Sequence, residues 1–376
     1  MAIASKDMVP SGREVSAIPK RKRSRSETLT TLRKVYPWAF LVVMLAFFTV
    51  ASQALNNVNF LTPRALQGIA LYCTQILLIG LAETVIVISA GIDLSVGWTL
   101  GFSSVIAADI MKYLYASGAG PIETIGLGML GGITVAVVPG LVNGVLITRW
   151  NVPSFISTIG VGFTVEGIAL LRSHGIPIAD QPPYHGDLGN GSIVNWSPGN
   201  WFTWFKVPDT ATSAQLQANI PLMPNVVLVT IIVTAICWFI LAKTQFGQHL
   251  YAIGGNLEAA KRAGIPVAWT LVKVYMLASA LAGIAGVLWA ARFTSGAYNG
   301  GDPTLLPGIA AVMIGGASMF GGEGTIVGTV VGALVIATIQ YGLVVIGVEA
   351  FYQYVVVGAV LILAVVIDQL GRNMAK

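Results

Sequence analysis

Charge is the scarcest property of this sequence: Asp, Glu, Lys and Arg make up 10% of 376 residues, against 55% hydrophobic. Soluble domains carry roughly 25% charged residues, so this chain has too little polar side chain to wet a surface of its own. A soluble globular protein is excluded. Cysteine is nearly absent: Cys73 and Cys237 lie far apart inside apolar runs, which gives no disulfide framework and leaves two small hydrophobes. The three histidines (His174, His185, His249) are scattered and no His-Glu-x-x-His occurs, so no metal site and no intramembrane protease is indicated. No Gly-x-x-x-x-Gly-Lys-Ser/Thr phosphate loop is present either, which argues against ATP hydrolysis on this chain. Gly247, Gly254 and Gly255 make no dinucleotide fingerprint, because no strand-helix-strand pattern surrounds them. No residue presents itself as catalytic.

What is abundant is apolar run and glycine. The mean hydropathy is +0.77, and many of the 43 glycines fall inside apolar stretches, where they suit helices that pack closely in lipid. A hydrocarbon core about 30 Å thick needs roughly 20 apolar residues per helix. On that measure the sequence predicts an all-α polytopic membrane protein with about ten transmembrane helices, near 37–55, 68–90, 95–112, 122–147, 153–172, 221–242, 270–291, 304–320, 325–346 and 351–369. The segment 95–112 follows a polar turn almost at once, and 304–320 is short and Gly-rich enough to re-enter without crossing.

The few charges are informative by their placement. The first 34 residues hold nine Lys/Arg and three Asp/Glu, including the run Lys20-Arg-Lys-Arg-Ser-Arg25, and have no apolar periodicity. They are expected to form a disordered basic cytoplasmic tail that fixes topology, rather than a nucleic-acid patch. Ala51-Ser-Gln-Ala54 resembles a signal-peptide cleavage site, but its n-region is too long and further apolar spans follow, so the first span is read as retained. With ten alternating spans, sixteen Lys/Arg fall inside and five outside, which supports both termini in the cytoplasm. Residues 35–376 then form one transmembrane domain with two long connections. The outer one, 173–220, holds Pro182-Pro183, Trp196, Trp201 and Trp204, and its prolines and glycines argue against a regular domain. The tryptophans suit an interfacial belt, with stacking on a ligand ring as the sharper reading.

The inner connection, 243–269, has the marks of a short docking helix. Asn256 suits the N-cap, Glu258 the first turn, and Gly264 with Pro266 ends it. Glu258 and Arg262 are spaced i, i+4. Ala259, Ala260 and Ala263 offer small residues over which another protein could approach closely. A plain solvent-facing connector is the plainer alternative.

Glu258-Ala259-Ala260 followed by Gly264 resembles the EAA loop by which ABC importer permeases contact their ATPase. Gly91-Ile-Asp93-Leu-Ser95-Val-Gly97 resembles a signature turn of the ribose/xylose-type branch of those permeases. Leu141-Val-Asn143-Gly144, Val152-Pro-Ser-Phe-Ile-Ser-Thr158-Ile-Gly160, Gly254-Gly255-Asn256 and the segment from Ile309 to Gly322 follow in the family's order. The resemblance covers about 37–370, while the long basic tail and the aromatic outer loop depart from the pattern. It implies a multi-pass permease of the bacterial inner membrane, with no nucleic-acid partner. It implies no cofactor on this chain, ATP and Mg being held by a separate ATPase subunit. It further implies a periplasmic sugar-binding protein, a second permease subunit (a homodimer or a heterodimer), the surrounding lipid, and a pentose, hexose or polyol as cargo. A faint likeness of 82–101 to 310–328 suggests an internal repeat.

A neutral sugar needs donors and acceptors on otherwise apolar helices. Glu83, Asn143, Thr158, Glu166 and Gln340 are the candidates for its path, each weighed against a structural helix-helix hydrogen bond. An ion-coupled secondary transporter using Glu83 or Glu166, and a permease for branched-chain amino acids, are the alternatives.

Overall fold

The computed structural model describes residues 25–208 and 210–373. The basic residues 1–24 lie outside them. Fourteen helices and three short strands are described, in the order α1 (Arg25–Asn56), α2 (Pro63–Ile88), α3 (Ser95–Ala116), α4 (Pro121–Arg149), α5 (Ser154–Ser173), α6 (His185–Asn190), β1 (Ser192–Ser197), β2 (Trp201–Trp204), α7 (Ser213–Ala218), β3 (Ile220–Pro224), α8 (Asn225–Lys243), α9 (Gln245–Gly255), α10 (Leu257–Arg262), α11 (Val267–Phe293), α12 (Asp302–Ile314), α13 (Ile326–Val345) and α14 (Ala350–Asn373). The helical expectation holds, and seven of these helices (α1, α2, α4, α5, α8, α11 and α13) are long and apolar enough to cross a bilayer.

Burial divides the helices by role. α2 is buried over nearly its whole apolar length, with Leu78, Ile79, Leu81, Ile86 and Ile88 fully inaccessible, and α11, α12 and α13 pack around it. α3, α4 and α5 form a second layer against α11. α1, α8 and α14 instead present large apolar side chains outward, among them Phe47, Phe239 and Phe351. An apolar exterior over a buried apolar core is what a bilayer solvent requires. Glycine sets the close approaches: a Cβ on Gly140 of α4 would stand 2.3 Å from the Tyr275 carbonyl oxygen of α11, so only glycine lets these two helices touch backbone to backbone.

Four sequence expectations need correction. The helix of the first span begins at Arg25, so disorder through residue 34 does not hold for 25–34; Glu27, Leu29, Leu32 and Arg33 are good helix formers and extend the apolar helix behind them. The outer connection contains regular structure: β1 pairs antiparallel with β2 and β3 in the order β2-β1-β3, flanked by α6 and α7, so the chain is not purely helical. Its strands are four to six residues long and bounded by Pro and Gly, which hid them. The inner connection holds α9 before α10, giving two helices that break at Asn256 where one short helix was expected. Finally, α12 is 13 residues long, a rise of about 20 Å, and 315–325 is turn rather than the end of a span.

The helix ends gather into two groups. At one, Ile178 pairs with Gly296 across an isolated bridge, Arg64 donates to the Gln217 carbonyl, and Asn190 donates to the Arg292 carbonyl, so the 173–220 connection is tied to the end of α11 and the start of α2. At the other, the turn after α2, the turn after α12 and the end of α9 meet.

Candidate functional site

The second of these ends is built on glycine. The Gly322 amide donates to the Ile88 carbonyl at 2.9 Å, and the Tyr251 hydroxyl to the Gly324 carbonyl at 2.8 Å. A Cβ on Gly254 would lie 1.8 Å from the Ile88 oxygen and 2.6 Å from the Gly322 nitrogen. Three chain segments far apart in sequence therefore touch through bare backbone. α10 follows directly, capped as its sequence predicts: the Asn256 side chain accepts from the Ala259 amide at 2.9 Å, and Gly264, at φ +78°, turns the chain out of the helix. Two details differ from expectation. Glu258 pairs with Lys261 at 2.9 Å, one position earlier than Arg262. Ala260 is buried, so Ala259 and Ala263 alone of the three alanines are exposed.

The signature turn organises the neighbouring helices. α2 closes with Ala90 in the left-handed region (φ +61°), the Gly91 amide reaching back to the Ile86 carbonyl. A Cβ on Gly91 would stand 2.8 Å from the Tyr275 hydroxyl, and one on Gly97 would press on Leu305 of α12. The Asp93 carboxylate accepts from the Ser95 amide at 2.8 Å and from its hydroxyl, holding the first turn of α3. Burial pushes that carboxyl up to about 6 while the two Ser95 bonds pull it down. The Asn143 amide donates to Ser95 Oγ and the Ser157 hydroxyl donates to Asn143 Oδ1, both at 3.0 Å, while Thr158 Oγ1 accepts from the Leu94 amide at 3.2 Å. One buried polar chain thus links α3, α4 and α5. Glu83, on α2, is 2% exposed with its Oε1 unpartnered among the described residues.

A cavity of about 540 Å³ opens in the other half of the helix stack, between α2, α11, α12, α13 and α14. Gln75, Arg292, Asp302, Gln340 and Gln353 supply its polar groups, and Tyr72, Trp289, Phe293 and Tyr354 its aromatic wall. Trp289 and Phe293 stack with ring centroids 4.5 Å apart. The Arg292 guanidinium is fixed by one bond, Nη1 to the Leu71 carbonyl at 3.1 Å. Gln75 is 9% exposed, and its Oε1 has no partner among the described residues.

Of the five path candidates, the structure brings Gln340 into this cavity and leaves Glu166 half-buried on α5, outside the cavity's lining. It brings Glu83, Asn143 and Thr158 to the signature turn, where Asn143 and Thr158 already have protein partners. Sequence reading missed Gln75, Arg292, Asp302, Gln353 and the Trp289–Phe293 pair. The i, i+4 spacing of Trp289 and Phe293, with a lone arginine between them, was the available signal.

A family model described as "Branched-chain amino acid transport system / permease component" matches residues 65–365. An L-arabinose ABC transporter permease of Azospirillum brasilense is 32% identical over 335 residues, covering 89% of this chain and 88% of the relative. A ribose import permease of Bacillus subtilis is 32% identical over 90% of this chain and 93% of its own length. A galactose/methyl galactoside import permease of Haemophilus influenzae is 32% identical over 96% of this chain and all of its own. No solved structure matches. A chain matched over this length, with apolar helices around a glycine-lined end and no nucleotide-binding loop, belongs to that family: it is a membrane permease subunit of an ABC transporter, not an enzyme.

Proposed function

We propose that this permease imports a neutral monosaccharide or polyol through the bacterial inner membrane, handed over by a periplasmic binding protein and driven by a separate ATPase that docks on α10. The observation that carries the mechanism is the glycine junction behind α10. Gly254 and Gly255 abut the turn after α2 and the turn after α12 with no side chain between, so a displacement of α9–α10 is felt at two buried helices at once. ATP binding and hydrolysis on the partner, which carries the nucleotide and Mg, would move α10 and shift the helices between outward- and inward-open arrangements. A second copy of the permease completes the path, and residues of the 255–264 segment, with the turn 91–97 behind it, carry the coupling. Glu83 and Glu166 are kept as residues of the sugar path beside Gln340. The carbohydrate cargo rests on the relatives, which are permeases for arabinose, ribose and galactose.

One observation favours a second reading. Arg292 and Asp302 face the same cavity, and opposite charges also suit the two ends of an amino acid, the cargo class in the family's description. Reconstitution with the ATPase and binding protein in vesicles separates the two: ATP-dependent uptake of a labelled monosaccharide is expected. Leucine uptake without sugar uptake would establish the second reading. Uptake with no ATPase present would favour an ion-coupled transporter.

A further inference from the structure

The cavity between α2, α11, α12, α13 and α14 carries more polar capacity than the protein uses. Gln75 Oε1 is buried without a partner among the described residues, an arrangement that is unfavourable unless something else satisfies it. Asp302, Gln340 and Gln353 line the same space, and none of them shows a side-chain hydrogen bond among the described residues. Arg292 spends one donor on Leu71 and has the rest of its fork to offer. Opposite these groups stands an aromatic wall in which Trp289 and Phe293 pack against each other at a tilt of 38°. Amides that both donate and accept, a carboxylate that accepts, a guanidinium that donates and a flat apolar face are the complement of a polyhydroxylated ring: hydroxyls at its rim, C–H groups on its faces. A lipid tail would leave the polar groups unpaired.

Resting on the sugar-import reading, we propose that this cavity is a monosaccharide-binding site within a single permease chain. Asp302 accepts from ring hydroxyls. Gln75, Gln340 and Arg292 complete the polar rim, and Trp289 covers the apolar face. The permease then selects its cargo itself, in addition to any selection by the binding protein.

The test uses the full chain with its ATPase and binding protein in vesicles, and D-ribose, L-arabinose, D-galactose and D-fructose as probes. Asp302→Asn and Gln340→Ala are expected to lower kcat/KM for the transported sugar by about tenfold or more, the loss of one charge-assisted or buried hydrogen bond, and to change the ranking among the four sugars while the ATPase still co-purifies. A direct readout covers the case in which Asp302→Asn fails to fold. Cys73 and Cys237 are both buried, so Leu306→Cys, at an exposed apolar position of the cavity wall that takes no part in the polar rim, gives one reachable thiol, and its maleimide labelling is expected to slow about threefold or more under the transported sugar by simple occupancy. Wild-type import of sugar with unchanged kinetics and ranking in the variants, and labelling indifferent to sugar, would overturn the site and leave the import reading standing. Import of none of the four by the wild-type complex would overturn both. Protection of the thiol by leucine and not by sugar would also overturn the proposal, in favour of an amino-acid site.

Discussion

At the residue scale, a polar side chain inside an apolar helix either closes a bond within the protein or waits for a ligand, and the two kinds predict different mutant behaviour. Asn143 is of the first kind, with a donor on Ser95 and an acceptor to Ser157. Asn143→Ala is expected to lower stability by about 0.6–1.7 kcal/mol, typical of hydrogen bonds within helical bundles, and to leave the ranking of transported sugars unchanged. Thermal melts alongside uptake competition check both halves. His185, on α6, which packs against α11 and α8, makes a pH prediction. It is fully buried with both ring nitrogens unpartnered among the described residues, and burial lowers its pKa from 6.5 to about 4. The folded state favours the neutral ring, so the unfolded chain takes up its proton first as pH falls. Its contribution to stability is full above about 6.5 and declines toward about 4. Melting temperatures between pH 7 and 5 should fall less steeply for His185→Phe than for the wild type.

At the element scale, α10 shows how much a short motif can reveal. Its cap, its acid in the first turn and its Gly264 stop were legible because each is a local rule acting within six residues. The buried face of Ala260 was not, since it depends on how α10 packs against α9 and α11. The same division explains the other differences. Long apolar runs announced the helices, whereas β1, β2 and β3 are too short to show an alternation, and the cavity draws its polar groups from five stretches spread between Gln75 and Gln353. For the coupling role, Gly254→Val is the sharpest probe. Any Cβ there collides with the Ile88 carbonyl, so the variant must push α9 away from α2. Transport should be lost while the protein remains in the membrane and Glu258 still presents its face to the ATPase. Glu258→Lys should lose both transport and ATPase co-purification. Normal transport by Gly254→Val would remove the junction from the mechanism.

At the scale of the whole molecule, the open quantity is the number of crossings. Seven helices qualify on length and hydropathy, yet α3 is 22 residues long, α14 is 24 and α12 is 13. Counting all three gives ten, with the chain's two ends on one side. The bond from Ile88 to Gly322 brings the ends of α2 and α12 to one level, and α10 lies beside them, so a reporter inserted near Gly255 and one fused after Lys376 should give the same answer. One inserted near Asn195, in the sheet tied to the far end of α11, should give the opposite. Cytoplasmic reporting near Gly255 is expected, because sixteen of 21 Lys/Arg then fall inside. A helix of about 20 Å in a core of about 30 Å crosses only if the turn after it lies within the membrane, shielded by protein. The 315–325 turn meets that condition in part: Ala317 and Ser318 are buried and the Ser318 amide is bonded to the Glu323 carbonyl. A reporter after Lys376 on the side opposite to that at Gly255 would mean an odd number of crossings beyond α10, and α12 would then be a re-entrant helix lining the cavity rather than a span.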